Sequence, residues 1–600
     1  LFGGFESAVW FFALGSRYTQ LYNVLVMLKR LFLILLPLLI VAVAGWLWWQ
    51  RVPRVAMEGY VPESALGYIE INDLPQLMDR FTSTKAWQQL APVYGISDKL
   101  NYFGKAGTLA RITGAGPAES VMLSRAQFAL TVTGIEVRGR EVIPRWALVA
   151  ETHTSESRLK STIESRLPQL AAQAFGNPAR ETMDYLNVPV TVFRAAMENK
   201  RMLSAQMGSV WILANHPDAM RACIETRLGR SPSMASSNFH LSAARPMVGG
   251  NSEIFAFISK QGAARLMQFA ANLLISRVTS AAAVAGVVEN LLSDLSSKTV
   301  DGIAYGATFE QGEIISRSAL LFKPAIADKL KNSIRPGENS REGHHKSLSI
   351  IPASVTDVTI VDVQNPLKVF DELELAFSSQ LGAGQSFILR QYLIGARAAL
   401  FGIAPGDSTS AGFGNEIVAV SLGEKAADRM LLIEAGNRAL TEQFAQKYLT
   451  IGGANLRREK YQDSELLISS SAQRGSGVFI REFLALGSQS ALKRLLDAQQ
   501  KNDLLEKTPQ FQAALRNAEV IPAISYSSAK EDANEMMSAL AQRLNGKVIV
   551  DRNAVNTELS KLPLATSWTT LHEHGAQTVS RAPFGNFPLL ISMIDGAGAN

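Results

Sequence analysis

Residues 210–221 read VWILANHPDAMR, and residues 482–493 read EFLALGSQSALK. Each begins with an apolar run short enough for one strand, turns through polar residues and continues with helical periodicity. The spacing from Ala219 to Ala491 recurs from Phe239 to Phe511. Two matching strand-to-helix units in one chain direct the reading to internal repetition, since similarity at a fixed spacing marks repeated structural units.

Further matches lie on either side, in the same chain order. Val61-Pro62-Glu63-Ser64-Ala65 leads into the alternating GYIEIN and a helix opened by Pro75; Ile351-Pro352-Ala353-Ser354-Val355 leads into DVTIVD and then Pro366. The two differ by one residue in register. Proline suits the first helical turn, where a missing N–H costs least. WALVAE (146–151) precedes a helix over 156–174, and MLLIEA (430–435) precedes one over 439–448. Residues 305–322 and 567–584 read as β-hairpins that turn at Gly312 and Gly575. Between the copies, PGENSREGHHKS (336–347) is polar and aperiodic, as linkers are. The sequence therefore predicts an α/β or α+β protein with two similar mixed halves, residues 57–335 and 348–600. The Ala-rich stretch from Gly262 to Leu292 is broken by Asn272, Arg277, Thr279 and Ser280, so core helices are expected there and not a second membrane span.

The first 56 residues are of another kind. From Leu31 to Trp49 the chain reads LFLILLPLLIVAVAGWLWW, with no charge, between Lys29-Arg30 and Arg51. That run is long enough to cross a bilayer as a helix of about 20 residues. Pro37 is tolerated in such a helix, and Trp46, Trp48 and Trp49 beyond Gly45 suit the membrane interface. A cleaved signal peptide is the competing reading, with Met27 opening a basic region and Ala42-Val43-Ala44 as a small-residue cleavage site. The apolar run continues past those residues, which favours a retained anchor within residues 27–56. Basic residues flank both ends, so orientation rests on export logic: a cytoplasmic stub, and the bulk outside the bacterial inner membrane. Residues 1–26 precede Met27 and are expected to be an upstream extension.

The proline-strand-helix opening, the VWILAN strand before its helix and the single anchor together resemble a bacterial family, the domain of unknown function numbered 3352, over roughly residues 30–600. The resemblance implies an exported, anchored protein. It carries no activity and no site residue.

Chemistry is sparsely signposted. The single Cys223 excludes an intramolecular disulfide framework and multi-cysteine metal sites, and reads as a small buried hydrophobe. The net charge of +6 is spread over 59 basic and 53 acidic residues without a basic stripe, so no nucleic-acid partner is expected. There is no G-x-S-x-G, H-E-x-x-H or P-loop pattern, and Gly382-Ala383-Gly384 follows a helical stretch where a dinucleotide fingerprint needs a strand. His572 and His574 flank Glu573 and would project to one strand face, two of the three or four ligands zinc takes. The equivalent Phe309-Glu310-Gln311 lacks histidine, so an exposed hairpin tip without metal is expected. His344 and His345 fall in the linker and read as part of a solvated tether; His153, His216 and His240 read as turn or capping residues. Carboxylates are plentiful, among them Glu70, Asp73, Glu151, Asp362 and Glu434, and spacing alone does not pair them. Glu151 and Glu434 stand at equivalent strand ends, a frequent site position in α/β sheets and also a place where a helix dipole favours negative charge. The expectation is a non-catalytic envelope protein that binds or scaffolds, holding membrane lipid through its anchor and an envelope protein partner, with no cofactor. The alternatives are an extracytoplasmic hydrolase with a site between the halves, or a lipid- or lipoprotein-handling module with an apolar groove between helices and sheet.

Overall fold

The computed structural model describes residues 53–588 except 114–115, 139–140, 197–199, 238, 269–281, 336, 338–344, 402–407, 424, 510, 513–522 and 546–550. The expected anchor, with Leu31, Pro37, Gly45, Trp46, Trp48 and Trp49, lies outside these residues, as do residues 1–26 and most of the expected linker. Among the described residues no helix is long and apolar enough to cross a membrane.

The strands are β1 Gly67–Ile71, β2 Gln127–Arg138, β3 Glu141–Glu151, β4 Ala179–Tyr185, β5 Val188–Arg194, β6 Arg201–Met207, β7 Val210–Ala214, β8 Ile254–Ser259, β9 Val300–Glu310 and β10 Glu313–Phe322, with period-two burial clearest in β1 and β7. They continue as β11 Asp357–Asp362, β12 Phe413–Ser421, β13 Arg429–Ala435, β14 Leu456–Tyr461, β15 Ser464–Ser469, β16 Ser476–Ile480, β17 Phe483–Gly487, β18 Ala523–Ser527, β19 Ala565–His572 and β20 Gly575–Ala582. All join one 20-stranded sheet. Its pairings are antiparallel throughout. The fold is thus α+β; the α/β alternative, which needs parallel strands joined by crossover helices, is corrected.

From the central β10–β20 pair outward, one side runs β10, β9, β8, β1, β2, β3, β7, β6, β5, β4 and the other β20, β19, β18, β11, β12, β13, β17, β16, β15, β14. The two sides follow the same path in the same chain order. The match of 305–322 to 567–584 makes Arg317 the equivalent of Val579, and the ladder sets these two residues opposite each other. A local two-fold therefore passes between them. Ahead of each first strand, a short helix (Met57–Tyr60, Lys346–Ser349) leads to a proline that forms an isolated bridge, Pro62 with Ser233 and Pro352 with Leu504.

Local chemistry sets the helix starts. Asp73 caps Leu74–Thr82 by accepting from Gln76 N at 3.0 Å, and Asn365 caps Pro366–Ser378 by accepting from Lys368 N at 3.1 Å. His216 caps Pro217–Arg227, while Ser488 caps Gln489–Lys501. In the sheet Val210 faces Glu151 and Phe483 faces Glu434, so the alignment of Val210 with Glu482 is one residue out in the strand. Two residues, Asn215 and His216, connect strand to helix on one side, and Ser488 alone does so on the other.

One face of the sheet packs on the lead-in segments and on the helices Pro217–Arg227, Phe239–Val248 and Gln489–Lys501. Cys223 is buried there, its thiol pushed up to about 12 by burial. The other face carries Glu156–Phe175 and Arg438–Leu449. Across the two-fold the halves interlock. Leu291 of Ala282–Thr299 meets Leu389 of Ala383–Phe401, and Ile326 and Leu330 of Pro324–Ser333 meet Ala376 of Pro366–Ser378. Reciprocally, Met536 and Met537 of Lys530–Asn545 and Leu559 of Arg552–Ser560 pack with Phe81, Trp87 and Leu90.

Candidate functional site

Strand phase drives polar side chains into the core at one end of the sheet. Asp362 shares its face of β11 with Val358 and Ile360, Glu416 its face of β12 with Val418 and Val420, and Glu434 its face of β13 with Met430 and Leu432; all are buried. Asp362 lies opposite Glu416. Glu434 Oε2 accepts from Asn415 N at 2.9 Å and Glu416 N at 3.0 Å, and its Oε1 accepts from Lys346 Nζ at 2.7 Å. The two oxygens of Glu416 accept from Lys346 N and Ser347 N, each at 3.1 Å. His345 Nδ1 is 4.0 Å from Asp362 Oδ2, and Gly337 N donates to the Asp362 carbonyl at 3.0 Å.

Burial pushes Glu416 up to about 7, with the charges of Asp362 and Glu434 adding and the hydrogen bonds from Ser347 opposing. The Glu434 hydrogen bond raises Lys346, and burial lowers His345 against the pull of Asp362. The reading of His345 as part of a solvated tether is corrected: its side chain is 9% exposed. Aperiodic polar sequence suggested solvent, yet the entering chain is held against three carboxylates.

On the other side of the two-fold the same three places hold Asn72, Gln127 and Glu151. Gln127 accepts from Val55 N at 2.8 Å and donates to Val55 O at 3.0 Å and Asn72 Oδ1 at 2.6 Å. Glu151 accepts from Tyr60 Oη and His153 N, each at 3.1 Å. His153 Nε2 is 3.1 Å from Gln127 Oε1, and burial lowers its pKa, with Glu151 opposing. Each rung thus ties a lead-in segment to the sheet. Glu70 is spent on a two-point bond to Arg245 at 2.9 Å for each contact; Arg245 also reaches Glu58 at 2.7 Å and lies over the Phe255 ring. Asp73 caps its helix and pairs with Arg111.

The strand-end rule that drew attention to Glu151 and Glu434 belongs to parallel sheets, and this sheet is antiparallel. Nor do they serve a helix N-terminus, since Ser155 and Asn437 hold those cap positions. His572 stands exposed at the end of β19, its Nε2 3.0 Å from both Thr570 Oγ1 and Gln577 Oε1, while His574 Nε2 lies 3.5 Å from Glu573 in the turn. Among the described residues no group of three or more His, Cys, Asp or Glu is placed to hold a metal ion. At the junction of the halves, side chains of Phe81, Trp87, Met536, Met537 and Phe584 fill the space with apolar contacts.

Glu416, Lys346, Gln127 and Tyr60 escaped the sequence reading. Glu416 carried a signal: a carboxylate in phase with the inward Val418 and Val420 breaks the alternation of its strand. Comparison with family models, curated proteins and solved structures finds no match to the chain.

Proposed function

We propose that the chain is a membrane-anchored protein whose internally duplicated body stands outside the cytoplasm in the bacterial cell envelope and works by binding or scaffolding, without catalysis. The repeated strand path and the self-matching Arg317–Val579 pair support duplication. The uncharged run from Leu31 to Trp49 supports anchoring. One observation carries the non-catalytic reading: the buried carboxylates at the sheet end are used as structural acceptors, Glu416 taking Lys346 N and Ser347 N of the entering chain on its two oxygens, and Glu434 taking Asn415 N and Glu416 N of β12 on one oxygen and Lys346 Nζ on the other. Carboxylates bound in this way fix structure. Membrane lipid and an envelope protein are the partners this reading calls for.

The test is topological. A reporter that works only in the cytoplasm, fused after Asn600, stays silent, and one that needs export is active. A cytoplasmic signal would overturn the placement. A mature chain that begins at Gly45 would replace the anchor with a cleaved signal peptide.

A further inference from the structure

Helices Ala118–Arg125 and Glu156–Phe175 stand apart over β7 and leave an open cavity of about 520 Å³. Met122, Leu123, Ile163, Leu167, Leu170 and Trp211 line it, and Arg166 pairs with Glu119 at its rim at 2.6 Å. Leu123 and Leu170 are 43% and 49% exposed, so two leucines face solvent at its mouth. The other half closes the equivalent gap and opens a different cavity, of about 590 Å³, beside Phe444, Tyr448 and Leu486. In the other half, residues Ser408–Gly412 close onto the helix Arg438–Leu449: Thr441 Oγ1 donates to Gly412 O at 2.9 Å, and Phe413 meets Phe444 edge-on at 4.8 Å. A Cβ on Gly412 would stand 2.6 Å from Leu440 Cβ.

Outside the lining, about one turn beyond Met122 and Thr162, Arg125 and Arg158 stand at one end of the cavity, with Arg111, itself paired with Asp73, behind Arg125. Arg125 ends the first helix, and its guanidinium reaches Arg111 O at 3.3 Å. The charges of Arg54 and Arg125 bear on Arg111, and that of Arg158, in the second helix, bears on Arg125. The chain also leaves the apolar N-terminal run at this end. Val55 is bonded to Gln127, two residues beyond Arg125. Five residues lie between Trp49 and Val55, six chain steps with a reach of at most about 20 Å.

We propose that this cavity takes an acyl chain of an anionic phospholipid from the adjoining bilayer, with the lipid phosphate against Arg125 and Arg158. The volume lies within the ~300–1,000 Å³ of small-molecule pockets, its lining joins an apolar wall to polar residues that include Ser120, Gln169 and Gln173, and the end beyond Met122 has the sign that anionic headgroups seek. The siting beside a bilayer rests on the anchored reading.

Phospholipids brominated in the acyl chain test it by quenching Trp211 in the full-length chain purified in detergent, the Trp211 signal being the difference between wild type and Trp211→Phe. Brominated phosphatidylglycerol is expected to quench Trp211 saturably, at about tenfold lower concentration than brominated phosphatidylcholine. Leu170→Glu, at an exposed lining position, abolishes the quenching with unchanged circular dichroism, and Arg158→Glu removes the preference for phosphatidylglycerol. Quenching that is absent, or that survives Leu170→Glu, overturns the proposal. So does a photo-crosslinker at Leu170 that captures residues 31–49 of the chain itself. Quenching reads the cavity on whichever side of the membrane the body stands, so its outcome is separate from that of the topology reporter.

Discussion

Replacing Glu416 by glutamine removes a carboxyl that burial pushes up to about 7 from a reference of 4.5. A raised carboxyl favours the folded state most while protonated. Its contribution is complete below about pH 4.5, is lost as pH rises toward 7, and stays lost above. At about 1.4 kcal/mol per pH unit the loss amounts to about 3 kcal/mol. Glutamine stands at the equivalent place as Gln127, so the amide fits the site; it gives up one of the backbone bonds from Lys346 or Ser347, a constant offset of about 1 kcal/mol. Urea unfolding followed by circular dichroism from pH 4 to 8 separates the two effects. Wild type is expected to weaken across that window by about 3 kcal/mol more than Glu416→Gln. Parallel profiles for the two proteins would refute the reasoning, because a buried carboxyl near neutrality has to leave its proton in the pH dependence.

Trp87→Ala, which empties a buried position where the halves interlock, is expected to cost about 3–5 kcal/mol by chemical denaturation; a loss under 1 kcal/mol would deny that this junction is packed. Gly337→Ala sets a Cβ 1.7 Å from Asp362 Oδ1 and is expected to cost about 1–3 kcal/mol, a result that an unpacked linker would not give. Alanine at both His572 and His574 is expected to change stability by less than about 0.5 kcal/mol and to leave metal content, measured by atomic absorption, as in wild type. Stoichiometric zinc lost in that double variant would revive a hydrolase reading.

Much of the element order was legible because its signals are local. Pro62 and Pro352, the strand-to-helix runs at 210–221 and 482–493, and the hairpins around Gly312 and Gly575 each declare themselves within a dozen residues. Gln311 and Gly312 both take positive φ, as a two-residue hairpin turn asks. Strand direction was not legible, since the helical insertions between β1 and β2 and between β8 and β9 are long enough to serve either a parallel crossover or an antiparallel return. The joining of β10 to β20 was hidden too: Ser316, Ser318, Thr578 and Ser580 carry nothing that names their partners. The candidate site was half visible. Glu151 and Glu434 were noticed for their strand-end position and Asp362 only as one carboxylate among many, but the role of the first two depends on Tyr60 and Lys346, which reach them only through the tertiary fold. His345 was misread because linker composition describes exposure on average, and one buried carboxylate cluster was enough to draw it in.

The two-fold at the centre of the sheet is the claim on which the rest depends, and a disulfide tests it directly. Directly opposed residues of antiparallel strands have Cα atoms about 4.5–5.5 Å apart, within the span a disulfide needs, and the native Cys223 is buried away from exchange. Arg317→Cys combined with Val579→Cys should cross-link within one chain under mild oxidation, read as a single bridged peptide by mass spectrometry, while Arg317→Cys with Gln577→Cys should not. A bridge in the second pair and none in the first would contradict the register that makes the two halves equivalent.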